Sequence, residues 1–295
     1  MINIMQLIDG KKTAAEIKAE IRAEVTALTQ SGKRPPKLVA ILVGDNGASL
    51  TYVAGKERAC SEVGFASQVL RYPASTTEAE LLTAIARLNA DKEVDGFIVQ
   101  LPVPEHINEP KIIESIVPQK DVDGFHPENV GRMSLGMPAY IPATPAGIVE
   151  LLKRYQVPTC SKHCVIVGRS NIVGRPLSIL LSQKMFNCTV TLCHSQTPDI
   201  KAVCRQADIL IAALGKPEFV TADMVKDGAT VIDVGITRIP ATDTASGFRL
   251  KGDVKFDEVA PKCSYITPVP GGVGPMTIVS LLRNTLTAYR NKFES

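Results

Sequence analysis

The first half of the chain alternates between strand-like and helix-like patterns of hydrophobic residues. Continuous apolar runs at Leu38–Val43 and Gly96–Leu101 are typical of strands buried on both faces. Between them, the spacing predicts a helix over residues 49–63, a short strand at Gln68–Tyr72 and a helix opened by the capping box Thr77–Glu80. Because strands alternate with helices of this length, the pattern predicts parallel βαβ units and an α/β fold.

Two further helix starts flank these elements. Thr13–Glu16 is a capping box and predicts a helix that begins there and ends near Gly32. The prolines between Pro102 and Pro142 predict loops and an interdomain connection, because proline fixes φ and lacks the amide donor of a central strand. Thr144–Pro145 then predicts the N-cap and first residue of a new helix.

The second half of the chain repeats the alternation and ends in a long helix. The tail Met276–Phe293 predicts a helix whose apolar face carries Ile278, Leu282, Leu286 and Tyr289. The strands predicted in this half are Cys164–Val167, Val190–Cys193, Ile209–Leu214 and Val231–Val234. A chain of 295 residues is long for a single hydrophobic core, since chains beyond roughly 250–300 residues usually divide into domains with separate cores. We therefore expect two α/β domains flanking a cleft, the second being Rossmann-like with a mostly parallel sheet over residues 145–275.

Composition and charge exclude several classes of partner. The net charge of +3 and the lack of a Lys/Arg block disfavour a nucleic-acid partner. No stretch supplies the about 18 consecutive apolar residues of a membrane span. The N-terminus lacks the basic start and cleavage site of a secretory signal, so we expect a cytoplasmic protein. The seven cysteines cannot all pair, and Cys160, His163 and Cys164 have no second ligand pair at zinc-like spacing, so no metal is expected.

A dinucleotide-binding turn is predicted near the start of the second half. Gly168, Arg169 and Ser170 follow an apolar strand, while Gly174 and Arg175 open an amphipathic helix. The backbone amides of such a helix start suit a pyrophosphate. The spacing departs from G-x-G-x-x-G, because Ser170 replaces the second glycine and Gly174 comes one residue late. A βα turn that binds nothing is the alternative interpretation.

The residues beyond the next predicted strand favour NADP over NAD. An NAD site usually places Asp or Glu there to bind the ribose hydroxyl, but this strand runs into His194 and Ser195 without an acid. Arg169 and Arg175 are positioned to meet a 2′-phosphate, and Ser195 adds a hydroxyl. Solvated turn arginines are the alternative.

Three more segments have the composition of ligand-contact loops. Gly215 and Ile236 lie beyond the carboxyl ends of predicted strands, where a Rossmann-like sheet presents its ligand contacts. The segment Pro268–Thr277, with Pro270 and Gly271, is dense in glycine and proline just before a helix. Such a stretch lets the backbone approach a ligand closely, although a tight domain connection would look similar.

A candidate catalytic group lies on the helix predicted over residues 49–63. Ser49, Tyr52 and Lys56 are spaced so that they lie within about 60° on one helical face. A lone lysine on a helix is usually a solvated surface residue. Here other polar residues are predicted to accompany the lysine. Gln100 ends a buried strand, and Asp123 lies with a second acidic residue in a turn.

Five segments, in their order along the chain, carry a family resemblance. They are Tyr52–Lys56, Val99–Pro104, Pro118–Gly124, Gly168–Ser170 and Pro268–Thr277. Together they resemble the methylenetetrahydrofolate dehydrogenase/cyclohydrolase family over essentially the whole chain. Val103, where leucine is common, is one visible departure and carries no functional weight.

The resemblance implies a bifunctional, NADP-dependent enzyme of one-carbon metabolism. Such an enzyme oxidises 5,10-methylenetetrahydrofolate to the 5,10-methenyl form and hydrolyses that product to 10-formyltetrahydrofolate at the same cleft. It implies Lys56 as the key catalytic residue, Tyr52 as a residue that positions or stacks on the folate, and Gln100 as a hydrogen-bond partner near Lys56. Asp123 would hold the pterin amino edge, which presents two donors to a carboxylate.

The resemblance also extends the predicted sites and the organisation of the chain. The implied catalytic residues are Lys56, Tyr52, Gln100 and Asp123. The implied substrate-binding residues are Ser49, Tyr52, Gln100, Leu101, Asp123, Pro270 and Gly271. The predicted cofactor-binding residues are Gly168, Arg169, Ser170, Gly174, Arg175, His194, Ser195, Gly215 and Ile236. The family further implies a homodimer, and a folate-binding domain of residues 1–144 joined by the C-terminal helix 276–295.

Three other functions are compatible with parts of the pattern. A monofunctional dehydrogenase would lack the hydrolysis, although Tyr52, Lys56, Gln100 and Asp123 together disfavour it. An unrelated NADP oxidoreductase acting on a small hydroxy or keto acid would need a His or Arg cluster for the carboxylate, and the four histidines show no such grouping. A nucleotide-sensing module would bind NADP without turning over folate.

Overall fold

The computed structural model describes residues 5–244 and 247–293, and it separates into two compact units. Residues 15–143 and 278–293 form one, named the three-stranded unit after its sheet. Residues 5–14 and 144–277 form the other, the six-stranded unit. The outermost parts of the predicted segments, residues 1–4 and 294–295, lie outside the described residues.

The strands of the described residues follow one numbering along the chain. They are β1 (Gln6–Leu7), β2 (Lys37–Val43), β3 (Ala66–Tyr72), β4 (Gly96–Val99), β5 (His163–Val167), β6 (Thr189–Cys193), β7 (Ile209–Ala212), β8 (Thr230–Asp233), β9 (Thr237–Pro240), β10 (Phe248–Lys251) and β11 (Tyr265–Ile266). The α-helices are α1 (Gly10–Gln30), α2 (Gly47–Val63), α3 (Glu78–Ala90), α4 (Glu109–Ser115), α5 (Pro127–Ser134), α6 (Ala143–Arg154), α7 (Gly174–Ser182), α8 (Ile200–Cys204), α9 (Phe256–Val259) and α10 (Val273–Phe293).

The three-stranded unit contains a parallel sheet in the order β3-β2-β4. The central strand β2 is buried from Leu38 onward, which explains its uninterrupted apolar sequence. The core on one side of the sheet is formed by side chains of β2, β4, α3 and α4, among them Ile41, Ile85 and Phe97. The next strand along the chain, β3, pairs with one edge of β2, and the strand after it, β4, pairs with the other edge. The strand order therefore reverses at β2. Its carboxyl end is therefore a place where such sheets bind ligands.

The six-stranded unit contains a sheet in the order β1-β11-β8-β7-β5-β6, in which all neighbouring strands are parallel. Here the order reverses at β5, whose neighbours are β6 and β7. Strands β9 and β10 pair antiparallel as a separate ribbon. The predicted α/β fold with a mostly parallel sheet in the second half is confirmed. The short strand β1 was not predicted, and it pairs with β11, so residues that the sequence analysis places in the first domain belong to the six-stranded unit.

The predicted starts of α1 and α6 lie a few residues after the observed ones. Helix α1 begins at Gly10, because the Asp9 carboxylate accepts the N–H of Lys12 and so caps the helix ahead of the predicted box at Thr13. Helix α6 begins at Ala143, so Thr144 already lies inside it. The capping box at Thr77–Glu80 is confirmed, with both reciprocal hydrogen bonds present.

The C-terminal helix α10 begins at Val273, three residues before the predicted start. From residue 278 onward it belongs to the three-stranded unit. The Asn284 side chain donates to the carbonyls of Val122 at 2.8 Å and Ile141 at 2.9 Å. The apolar face predicted for this helix is buried at Leu282, Leu286 and Tyr289.

Candidate active site

Lys56 and Gln100 meet at the carboxyl end of the three-stranded sheet. Lys56 lies on α2, which follows β2, and Gln100 directly follows β4. The Nζ of Lys56 donates to the Oε1 of Gln100 at 3.1 Å. The Nε2 of Gln100 donates to the carbonyl of Leu101 at 2.8 Å, which turns its amide oxygen toward the lysine. The Gln100 N–H also continues the sheet ladder to Ile41, so the backbone that carries the amide is held in place.

Burial makes the Lys56 amine easier to deprotonate than an ordinary lysine. Its side chain is 8% exposed, and loss of hydration lowers its pKa, while the negative charge of Asp123 partly opposes that shift. Burial also raises the pKa of the neighbouring Cys60 thiol to about 12, so this thiol stays neutral at physiological pH. Burial therefore makes the neutral amine, the form that accepts a proton, easier to reach at Lys56 than at an exposed lysine.

Asp123, on a separate segment, lies near enough to Lys56 for their charges to interact. The carboxyl group is half-buried, and desolvation raises its pKa, while the charge of Lys56 lowers it and that of Asp121 raises it. Lys56, Gln100 and Asp123 come from three separate parts of the chain, and the structure brings them together.

The turn that carries Asp123 is held by Asp121, which the sequence analysis did not single out. Asp121 is buried, and its carboxylate accepts the N–H groups of Phe125 and His126 and the side-chain amide of Asn129. The signal in the sequence was the second acid of this turn, but the spacing did not show which of the two points toward Lys56. Asp121 holds the turn through its hydrogen bonds, and Asp123 is the acid whose charge acts on Lys56.

The remaining predicted substrate residues of the three-stranded unit lie close along the chain to Lys56 or to Gln100. Tyr52 lies one helical turn before it on α2 and is 36% exposed. Ser49 is buried near the start of α2, where its N–H donates to Oδ1 of Asn46 at 3.1 Å. Leu101 is half-buried beside Gln100. The predicted helix that carries Ser49, Tyr52 and Lys56 is confirmed.

In the six-stranded unit, four loops are aligned at one edge of the sheet. Val167 at the end of β5 is in register with Cys193 of β6 and Ala212 of β7, and Ala212 is in register with Asp233 of β8. The loops that follow these strands therefore begin side by side, at the point where the strand order reverses. They carry the predicted cofactor residues Gly168, Arg169, Ser170, His194, Ser195, Gly215 and Ile236.

The glycine turn after β5 is packed too tightly for side chains. Gly168 has a φ of +122°, and a Cβ there would collide with the carbonyl of Ala213. A Cβ on Gly174, the first residue of α7, would collide with the carbonyl of Gly168. Ser170 closes the turn, because its Oγ accepts the N–H of Val173 at 3.1 Å. The turn therefore brings the start of α7 directly against the end of β5.

Polar side chains surround this turn. Arg169, Arg175 and Ser195 are exposed, and the guanidinium of Arg175 donates to Oδ1 of Asn171 at 2.9 Å. His194 is half-buried, and its backbone N–H donates to Oγ1 of Thr197. Arg169 lies on the loop after β5, Arg175 in the first turn of α7 and Ser195 on the loop after β6. The two arginines and the serine hydroxyl thus follow two neighbouring strands, β5 and β6.

Pro270 and Gly271 belong to the six-stranded unit. The carbonyl of Gly271 accepts the N–H of Lys11 at 2.8 Å, and a Cβ on Gly10 would collide with the carbonyl of Gly272. Close backbone packing against the start of α1 accounts for part of the glycine content of this segment. A role for Pro270 and Gly271 in substrate binding stays a prediction.

The chain is similar to known proteins over nearly its whole length. Residues 8–123 match the family model described as tetrahydrofolate dehydrogenase/cyclohydrolase, catalytic domain, and residues 142–293 match its NAD(P)-binding domain. The bifunctional protein FolD of Porphyromonas gingivalis is 63% identical over 98% of both chains. The structure of the bifunctional FolD enzyme from Campylobacter jejuni is 47% identical, with a TM-score of 0.92, covering 98% of this chain and 100% of that one.

The chain belongs to the tetrahydrofolate dehydrogenase/cyclohydrolase family. The predicted family, the bifunctional dehydrogenase/cyclohydrolase activity and the NADP cofactor are confirmed. A solved relative is the Trypanosoma brucei dehydrogenase-cyclohydrolase complexed with NADP cofactor and inhibitor. It is 38% identical, has a TM-score of 0.95 and covers 99% of both chains.

The six-stranded unit of this family member fits a dinucleotide. Gly174, the first residue of α7, has no side chain, and the N-cap residue Val173 makes no side-chain capping hydrogen bond. Helix N-termini of this kind favour anions. The exposed Arg169 and Arg175 add positive charge beside that helix start. Within residues 5–244 and 247–293, no group of three or more His, Cys, Asp or Glu side chains is arranged to hold a metal ion. In the same ranges, no helix has the length and apolarity of a membrane span.

Proposed function

We propose that Lys56 is the general acid–base residue of the cyclohydrolase reaction, with Gln100 and Asp123 as its immediate partners. The supporting observation is the hydrogen bond between Lys56 and Gln100 in the part of the chain that matches the catalytic-domain model. In this mechanism, the neutral Lys56 amine takes a proton from the water that attacks the methenyl carbon. The resulting ammonium assists the opening of the ring that yields 10-formyltetrahydrofolate.

The environment of Lys56 suits both halves of that proton cycle. Burial lowers its pKa, and a cationic methenyl substrate would lower it further, because both disfavour a second positive charge. Gln100 offers a neutral acceptor to the lysine, so it orients the amine without holding it in the charged form. A carboxylate at that position would favour the ammonium instead.

The other substrate residues have binding roles in this proposal. The Asp123 carboxyl group holds the amino edge of the pterin, and Tyr52, one turn before Lys56, contacts or stacks on the folate. Ser49 and Leu101 line the same region. Pro270 and Gly271 contribute backbone contacts to the folate.

The loops of the six-stranded unit bind NADP. When bound, NADP accepts the hydride that leaves the methylene carbon of the folate. The amides at the start of α7, with Gly168, Ser170 and Gly174, hold the pyrophosphate, while Arg169, Arg175 and Ser195 contact the 2′-phosphate. His194, Gly215 and Ile236 complete the contacts from the neighbouring loops. The protein acts as a homodimer in the cytoplasm.

A spectroscopic assay tests this function. Purified protein is mixed with 5,10-methylenetetrahydrofolate and NADP, and NADPH and the methenyl intermediate are followed separately by absorbance, with NAD in parallel. We expect NADPH to form and the methenyl signal to decay faster than in enzyme-free buffer. Decay at the buffer rate would leave a dehydrogenase alone and remove the role of Lys56. NADP binding without turnover would favour the nucleotide-sensing module.

A further inference from the structure

Two buried aspartates lie behind the loops at the carboxyl edge of the six-stranded sheet. Asp233 ends β8, and Asp253 follows β10. The first is 3% exposed and the second is fully buried. In the described part of the chain, the hydrogen bonds that their carboxylates accept come from backbone N–H groups. Neither residue has a place in the catalytic or cofactor contacts described above.

Asp253 holds the loop that follows β7. Its Oδ2 accepts the N–H of Leu214 at 2.7 Å and the N–H of Gly215 at 2.9 Å. Gly215 has a φ of +68°, so the backbone turns sharply at this point and directs two successive amides at one oxygen. Without the carboxylate, both amides would lose this charged acceptor. This is the loop that carries the predicted cofactor residue Gly215.

Asp233 holds Asp253 and the neighbouring loop. Its Oδ1 accepts the N–H groups of Gly235 and Asp253, both at 2.9 Å, and its Oδ2 accepts the N–H of Val254 at 3.0 Å. One carboxylate therefore fixes the backbone just before Ile236 and also the segment that carries the second carboxylate. The two acids link β8 to the loop after β7.

Two glycines, Gly235 and Gly252, leave the space that these carboxylates occupy. A Cβ on Gly235 would collide with Oδ1 of Asp253, and a Cβ on Gly252 would collide with Oδ2 of Asp233. Oδ1 of Asp253 is buried and has no hydrogen-bond partner among the described residues. An apolar side chain would avoid that unfavourable burial, so the acid at position 253 serves a purpose other than packing.

We infer that Asp253 is a positioning residue for NADP binding, which sets the Leu214–Gly215 backbone while Asp233 holds it in place. The inference rests on the proposed cofactor contacts of Gly215 and Ile236. Asp253 acts through these loops and does not itself touch the cofactor. Substitutions there should therefore weaken NADP binding and leave the folate chemistry at Lys56 intact.

The experiment compares Asp253→Ala, Asp253→Asn and Gly235→Ala with the exposed control Asp257→Ala. NADP affinity is measured by calorimetry, the dehydrogenase reaction is analysed for KM and kcat, and methenyltetrahydrofolate hydrolysis is measured without NADP. We expect Asp253→Ala to weaken NADP binding at least about tenfold, because tenfold corresponds to about 1.4 kcal/mol and each of the two hydrogen bonds lost with the charged acceptor is of that size. The loss should appear in KM for NADP, with cofactor-free hydrolysis unchanged.

The variants separate positioning from folding. Asp253→Asn keeps an acceptor oxygen for both amides, so it should recover most of the NADP affinity. Gly235→Ala keeps the acid but forces a side chain against it, so it should weaken NADP as Asp253→Ala does. If NADP affinity and cofactor-free hydrolysis fall together in the Ala and Asn variants, Asp253 is only part of the folded core. If Asp253→Ala binds NADP as wild type does, the inference alone is wrong, whereas a wild-type protein that does not bind NADP overturns the proposed function as well.

Discussion

Lys56 donates a 3.1 Å hydrogen bond to the side-chain oxygen of Gln100, and the amide nitrogen of Gln100 is anchored on the carbonyl of Leu101. The pair joins a helix that follows β2 to the residue that follows β4, at the carboxyl end of the same parallel sheet. Because the anchored amide cannot present its nitrogen to the lysine, the acceptor facing Lys56 is fixed and neutral. This arrangement keeps the amine oriented without raising its pKa as a carboxylate would.

Removal of the Lys56 amine should abolish hydrolysis and spare the cofactor site. In Lys56→Met, we expect cyclohydrolase activity to fall at least about 100-fold, the usual scale of general acid–base catalysis. NADP affinity, measured by calorimetry, should not change. Lys33→Met, at an exposed position after α1, is the control and should hydrolyse normally. Near-normal hydrolysis by Lys56→Met would exclude the lysine from the mechanism.

A carboxylate in place of Gln100 should shift the pH dependence of hydrolysis. In Gln100→Glu, the new charge should raise the pKa of Lys56, since an opposite charge at hydrogen-bond distance stabilises the ammonium. The reaction needs the neutral amine, so the acidic limb of the cyclohydrolase pH–rate profile should move to higher pH. Gln100→Leu, which offers no acceptor, should move the limb the other way. Profiles that do not move would show that Gln100 does not tune the lysine.

The arginines beside the glycine turn should discriminate between the two dinucleotides. We expect Arg175→Ala and Arg169→Ala each to weaken NADP by roughly tenfold or more, because a charge-assisted hydrogen bond contributes about 1.5–3 kcal/mol. NAD, which lacks the 2′-phosphate, should be affected much less. KM values for both cofactors are the measurement, with the exposed Arg205→Ala as control. Equal losses for NADP and NAD would contradict a role in reading the phosphate.

The packed turn after β5 should not tolerate even one methyl group. In Gly174→Ala, the new Cβ would meet the carbonyl of Gly168, so we expect a loss of about 1–3 kcal/mol in the free energy of unfolding and weaker NADP binding. Gly131→Ala is the matched control, because nothing lies near a Cβ built there and Gly131 is inside helix α5. That change should be neutral or stabilise by up to about 1 kcal/mol. Urea unfolding of both variants is the measurement.

The pH dependence of stability should report on Asp233. Burial raises the pKa of Asp233 from 3.8 to about 7, so the folded protein keeps this proton while the unfolded chain loses it between about pH 4 and 7. The contribution of Asp233 to the free energy of unfolding therefore falls as the pH rises from about 4 to 7 and is constant above that range. In Asp233→Asn, the drop in unfolding free energy between pH 5 and pH 7 should be smaller by up to about 3 kcal/mol, since one pKa unit corresponds to about 1.36 kcal/mol.

Chemical unfolding at several pH values measures this difference. Asp257→Asn, at an exposed position, is the control and should leave the pH profile unchanged. An Asp233→Asn profile parallel to that of the wild type would mean that Asp233 is already ionised in the folded protein at pH 5.

The sequence by itself determined the family and the types of the main strands and helices. Apolar runs such as Leu38–Val43 predict buried parallel strands because such strands are covered on both faces, and the Thr77–Glu80 box predicts a helix start because its hydrogen bonds are local. The glycine turn at Gly168 was also readable, since it depends on neighbouring residues. The chemistry of Lys56 was suggested by its family motif, although a lone lysine on a helix carries little information.

Tertiary structure alone decided which polar residues meet. Lys56 and Gln100 are 44 positions apart, and only the order of the strands β3-β2-β4 brings them within hydrogen-bond distance. The same holds for Asp253, whose acceptor role depends on amides 38 and 39 positions earlier in the chain. A carboxylate that binds distant backbone N–H groups leaves no periodic or spacing signal, because the partners carry no side-chain signature. Such contacts depend on the packing of the whole sheet, which local patterns do not encode.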